Sequence, residues 1–164
     1  MNGPTAYADD IYAWSREQAA VLRRLAETRR DLPNELDLEH VAAEIEDVGR
    51  SEVRAVRSFV ELALVHLLKL ASVPEADPAR HWRGEVDLQN RAVADDLRRS
   101  MYELIDIDRV WDAAMKRADA ALDGHGDALL PGLPSSCPLG LDELRKPLDI
   151  EAAVARIRAA AGQR

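Results

Sequence analysis

Residues 38–72 read LEHVAAEIEDVGRSEVRAVRSFVELALVHLLKLAS, and the spacing of the apolar side chains in this stretch decides the fold class. Leu38, Val41, Ile45, Val48, Glu52, Val56, Phe59, Ala63, Leu67 and Leu70 follow one another at steps of three or four. That spacing holds one helix face in phase from end to end. Gly49 lies off this stripe near its middle, where a glycine costs about 1 kcal/mol relative to Ala and can permit a bend. The unbroken phase favours one helix of about 50 Å, with two helices meeting at Gly49 as the alternative.

Within this helix the run ELALVHLLKL, residues 61–70, places His66 and Lys69 in the most apolar segment of the chain. With Ile45 set at zero and about 100° added per residue, Glu52 falls about 20° and His66 about 60° from the stripe, and Lys69 about 120°. His66 is therefore expected to be at least half buried as a neutral imidazole hydrogen-bonded to another helix, with metal ligation or proton transfer as the competing roles. Lys69 can lay its stem on apolar surface and keep its ammonium in water. Glu52 must be paired, protonated or exposed by a bend, and a bridge to an arginine of a neighbouring helix is the first expectation.

Outward from this helix the pattern stays helical. Ile11, Trp14, Ala19, Leu22 and Leu25 define an N-terminal helix over residues 6–28 with Thr5 as its cap, and Pro33 marks the break after it. Pro74 and Pro78 end the long helix, Asp77 can cap the next, and residues 79–104 turn Trp82, Val86, Ala92 or Val93, and Leu97 inward. Val110, Trp111, Ala114, Met115, Ala118 and Leu122 form a further stripe, which Gly124 and Gly126 close. LLPGLPSSCPLGL, residues 129–141, reads as an ordered arm over the helices, Asp142 to Lys146 as one helical turn, and residues 149–161 as a short last helix that could dock or fray.

The chain's 164 residues fit one domain. The expected architecture is all-α, a single-domain bundle of four or five helices over residues 1–164 with one long central helix and a proline-rich arm. Cys137 is the sole cysteine, so no intrachain disulfide and no multi-cysteine zinc framework can form. No basic-then-apolar leader opens the sequence, and its longest apolar run falls short of the roughly 20 residues a membrane span needs. A cytoplasmic protein without membrane contact is expected. A net charge of −8 disfavours a phosphate backbone as partner unless the basic residues segregate.

YADDIYAW, LDLEHVAAEIEDVGRSE, HLLK, the tryptophan of HWRGEVDLQNR and CPLGLDELR occur in this order over residues 7–146. This succession resembles the bacterial family called domain of unknown function 29, which implies an all-helical, cytoplasmic bacterial protein without an established activity. The family-like region leaves residues 149–161 as a C-terminal extension. Where the family usually opens its EEIE block with two acids, this chain has Ala43 and Glu44.

Catalytic constellations are missing from the sequence. Glu-x-x-His, the repeat unit of carboxylate di-iron bundles, does not occur, nor do GxSxG, a glycine-rich phosphate loop or GxGxxG. Asp37 and His40 have di-iron-like spacing, but Asp37 sits where a helix cap is the simpler role. Neither a metal nor another cofactor is expected. Cys137, beside Pro138, reads as a small buried hydrophobe. The leading functional expectation is a non-enzymatic interaction or regulatory module acting on a protein partner or as a homo-oligomer. One alternative is a small-molecule or metal-dependent enzyme with a pocket near His66 and with Lys69, Glu44 and Trp82 nearby; Glu52 is a further candidate polar residue, but about 21 Å along the helix it cannot share a ligand with His66. The other is phosphate or nucleic-acid binding through the Arg80 to Arg99 segment, by Arg80, Arg83, Arg91 and Arg98; Glu85, Asp87, Asp95 and Asp96 interleave with these arginines and favour a solvated, ion-paired face instead.

Overall fold

The stretch from Leu38 to Ser72 forms one continuous helix of 35 residues in the computed structural model, which describes residues 5–29, 31–33 and 35–162. The helices are α1 (Ile11–Thr28), α2 (Leu38–Ser72), α3 (Ala79–Asp96), a 3-10 helix (Arg99–Leu104), α4 (Ile107–Asp123), the single turn α5 (Leu141–Leu144) and α6 (Ile150–Ala160). No strand occurs among the described residues, so the fold is all-α. By its contacts the chain divides into two compact units, one comprising the residues up to Ala55 with Arg98–Leu104, the other Val56–Leu97 with the residues from Ile105 onward.

In the first unit, α1 begins later than the sequence suggests. Asp10, not Thr5, is the N-cap, its carboxylate accepting from the Ala13 N–H at 2.9 Å. An aspartate one residue before the helix meets the orphan amides directly, and Ser100 Oγ of the 3-10 helix donates to the same carboxylate oxygen at 2.9 Å. Thr5 instead donates to Glu17 Oε1 at 2.6 Å.

Gly49 is buried, and the helix continues unbroken through it. A Cβ at this position would lie 2.1 Å from Ser15 Oγ and 3.3 Å from Tyr12 Cα. The glycine therefore serves close approach of α1 to α2, and small residues are buried in this unit: Ser15, Ala19 and Ala42. This contact moves the buried face of α2. Ala42 and Gly49 sit about 60° and 40° from Ile45, on the side away from Val41 and Val48, and those two valines, expected inside, are 39 % and 42 % exposed. Arg23 of α1 holds the pair from the side, its guanidinium donating to both Glu46 oxygens at 2.7 and 3.1 Å. That partner keeps the Glu46 carboxyl below its ordinary pKa.

The second unit is built on bulk. From Val56 to Ala71, α2 buries Val60, Leu64, Leu67, Leu68 and Leu70, a wider apolar face than one stripe. α3 starts at Ala79 with Pro78 at its N-cap and no side-chain cap, so Asp77 does not serve as one; it ends at Asp96, and Leu97 breaks it before the 3-10 helix. Ala79, Trp82, Val86 and Val93 are its buried apolar positions, with Val93 chosen over Ala92. α4 buries Val110, Trp111, Ala114, Ala118 and Leu122, and Gly126 at φ +80° turns the chain after it.

The proline-rich arm is ordered by hydrogen bonds to the helices. Trp111 Nε1 donates to the Pro134 carbonyl at 2.8 Å, the Cys137 N–H to Asp108 at 2.8 Å and the Leu130 N–H to Ser72 Oγ at 2.9 Å. Asn90, a buried amide on α3, donates to the Leu144 carbonyl at 2.6 Å and accepts from the Leu148 N–H at 3.1 Å. α6 is capped by Asp149 and docks, burying Ala153, Val154 and Ile157.

Candidate functional site

The second unit carries an open cavity of about 330 Å³. The end of α2 supplies Lys69, the following turn supplies Val73, Asp77 and Pro78, α3 supplies Trp82, and Leu122, His125 and Asp127 are also on the lining. These groups converge because two prolines stop α2 and its last turn faces the start of α3. Lys69 Nζ lies 5.5 Å from the centroid of the Trp82 ring, within the range of a cation–π contact. Burial, followed by the like charge of Arg117, lowers the Lys69 pKa. Among the described residues no carboxylate comes within ion-pairing distance of its ammonium.

His66, one turn earlier, is not part of the cavity lining. Burial and then the Lys69 charge push its pKa down to about 4, against an opposing pull from Glu85, so the imidazole is neutral at neutral pH. Its Nδ1 is buried and has no hydrogen-bond partner among the described residues, whereas a hydrogen bond to another helix was expected of it. The acceptor nearest in character, Glu85, lies instead 4.0 Å from His81 Nε2 on its own helix.

The sequence grouped five polar residues, and the structure brings together only part of them. Lys69 and Trp82 share the cavity, with His66 adjacent in the helix; Glu44 and Glu52 belong to the first unit. Glu52 is half-exposed and has no ion pair among the described residues, so the expected arginine bridge is not formed: the rotated burial axis of α2 leaves its carboxylate within reach of water. The four arginines of the basic segment are likewise divided. Arg83 donates to Glu151 at 3.0 Å, Arg98 belongs to the first unit and donates to the Asp9 carbonyl at 2.7 Å, and Arg80 and Arg91 are exposed. Asp37 and His40 do pair, with the Asp37 carboxylate also accepting from the His40 N–H at 3.1 Å, as a helix-start residue does. Burial pushes the Cys137 thiol up to about 11, which suppresses the thiolate a nucleophile needs. No group of three or more His, Cys, Asp or Glu residues among the described residues is arranged to hold a metal ion, and no described helix is long and apolar enough to cross a membrane.

Asn90 is the residue that periodicity could not find. It occupies an inward position of α3, and a buried amide there signals that backbone from another segment must be satisfied.

Fold and site together define an all-helical protein with a small cavity among three of its helices. The model of the family "Domain of unknown function DUF29" matches residues 6–147, and the chain belongs to that family. It is also similar to a crystal structure of an α-helical protein of unknown function from Rhodospirillum rubrum, with 40 % sequence identity and a TM-score of 0.88 over 93 % of this chain and 98 % of that one. No curated protein matches the sequence.

Proposed function

We propose that this protein is a non-enzymatic interaction module that docks a basic amphipathic helix of a protein partner along the outer flank of the first half of α2. The observation that carries this reading is the exposure of Val41 and Val48, with Ile45 between them, at the i, i+4, i+7 spacing by which one helix anchors another. Exposed Glu44 and half-exposed Glu52 border this stripe, and neither has an ion pair among the described residues. Their charge is complementary to a basic helix, and it opposes a second copy of the same surface, which would set acid against acid. A lone cysteine supports a reducing, cytoplasmic setting, and the similarity to a Rhodospirillum rubrum protein supports a bacterial one.

A photo-crosslinking amino acid placed at Val48 of the full chain, in cells of the organism that makes it, tests this. The expected product joins Val48 to a lysine- or arginine-rich helical segment of another protein, and Val41→Asp removes it. A crosslink to a second copy of this chain, or no crosslink at all, overturns the proposal.

A further inference from the structure

The cavity in the second unit raises a separate question, because it holds an arrangement that folding alone does not require. Lys69 carries a partly desolvated ammonium, held over the Trp82 ring, in a chain with 30 acidic residues, yet no carboxylate among the described residues pairs with it. The ammonium is only partly withdrawn from water, and with no carboxylate on it an anion entering the cavity would find an unpaired charge beside an aromatic face. Trp82, which is 8 % exposed, with Val73, Pro78 and Leu122, offers an apolar wall beside that charge. The volume of about 330 Å³ lies at the small end of ligand pockets, suited to a single-ring molecule.

The polar groups also say which anion. Lysine presents one point charge, and no arginine fork of the kind that matches phosphate lines the cavity. Asp77 and Asp127 line the same cavity and disfavour negative charge in it, so an anion is accommodated only with a single charge placed directly at Lys69. We infer that this cavity binds a small monocarboxylic acid with a flat apolar body, its carboxylate on Lys69 Nζ and its body against Trp82. The inference is independent of the docking reading, since it uses other residues in the other unit.

Benzoate is the probe, added to the full-length protein and followed by calorimetry and by NMR of 13C-labelled lysine. Saturable one-site binding in the millimolar range or tighter is expected, with the Lys69 titration midpoint moving up as its counter-ion arrives. Lys69→Met should weaken binding about tenfold or more while the helical circular dichroism stays unchanged. Benzylamine should not bind, and inorganic phosphate should not compete. Absence of saturable binding, an unchanged affinity in Lys69→Met, or equal competition by phosphate overturns the inference. If Lys69→Met does not fold, the wild-type spectra decide: benzoate-induced shifts at Lys69 and the Trp82 indole uphold it, and shifts confined to other residues overturn it.

Discussion

The two units of this protein reach stability by different means. The first has few buried side chains, most of them small, and relies on backbone approach at Gly49, an aspartate cap and the two-pronged Arg23–Glu46 bridge. The second buries Leu64, Leu67, Leu68, Leu70, Trp111 and Leu122 and fixes an irregular arm by polar anchors. Small residues let two helices approach closely but remove little apolar surface from water, at about 25 cal/mol per Å². A unit made that way leaves larger apolar residues over, and Val41 and Val48 are among those left over here, with Val21, Leu36 and Leu104. The lesson is that the thinner core is also the one with an unfilled apolar flank.

The comparison can be broken most forcefully in the second unit. Trp111 is fully buried and its indole N–H is bonded to Pro134. Trp111→Ala should cost about 3–5 kcal/mol in urea unfolding, and backbone hydrogen exchange should rise in the arm from Leu130 to Leu139. A loss below about 1 kcal/mol would mean the bulk of this core is not what stabilises it.

In the first unit Gly49→Ala is the sharper probe. The new methyl would stand 2.1 Å from Ser15 Oγ, itself bonded to the Tyr12 carbonyl at 2.8 Å. Overpacking should outweigh the gain in helix propensity, for a net loss of about 1–2 kcal/mol. Adding Ser15→Gly should recover most of it, because it removes the clashing atoms. A stabilised Gly49→Ala would show that the helices can separate without cost.

The smallest effect expected is one of pH, and it belongs to the second unit. His66 has its folded-state pKa lowered to about 4 from the ordinary 6.5, so the unfolded chain takes up the proton first. Its contribution is complete above pH 6.5 and is lost as the pH falls towards 4. Because the ring is only about half buried, screening limits this to about 1 kcal/mol. Stability measured by urea titration between these pH values should fall less steeply in His66→Phe than in the parent.

Much of this was readable in the chain itself. The positions of α1 to α4, the continuity implied by the long stripe, the ordered arm and the neutral, half-buried His66 follow from apolar spacing, prolines and side-chain chemistry. The caps were less legible, since Thr5, Asp77 and Asp10 are all competent and only the local path of the chain selects among them. The candidate site was legible in part: Lys69 and Trp82 are near each other because both flank the turn that two prolines enforce, whereas Glu44 and Glu52 are assigned to the other unit.

What the sequence by itself determined is the class of fold and the phase of each helix, because hydrophobic periodicity is a property of one element at a time. Which side of α2 is buried was decided only by tertiary structure. From the sequence Gly49 lies off the stripe as a place where a bend is permitted; in the fold Ser15 and Tyr12 of α1 stand against it, and that approach puts Gly49 inside and leaves Val41 and Val48 outside. Asn90 follows the same rule, because its meaning depends on the carbonyl of Leu144 and the amide of Leu148, more than fifty residues away in the chain. Period fixes how a helix can be buried; only its neighbour fixes how it is.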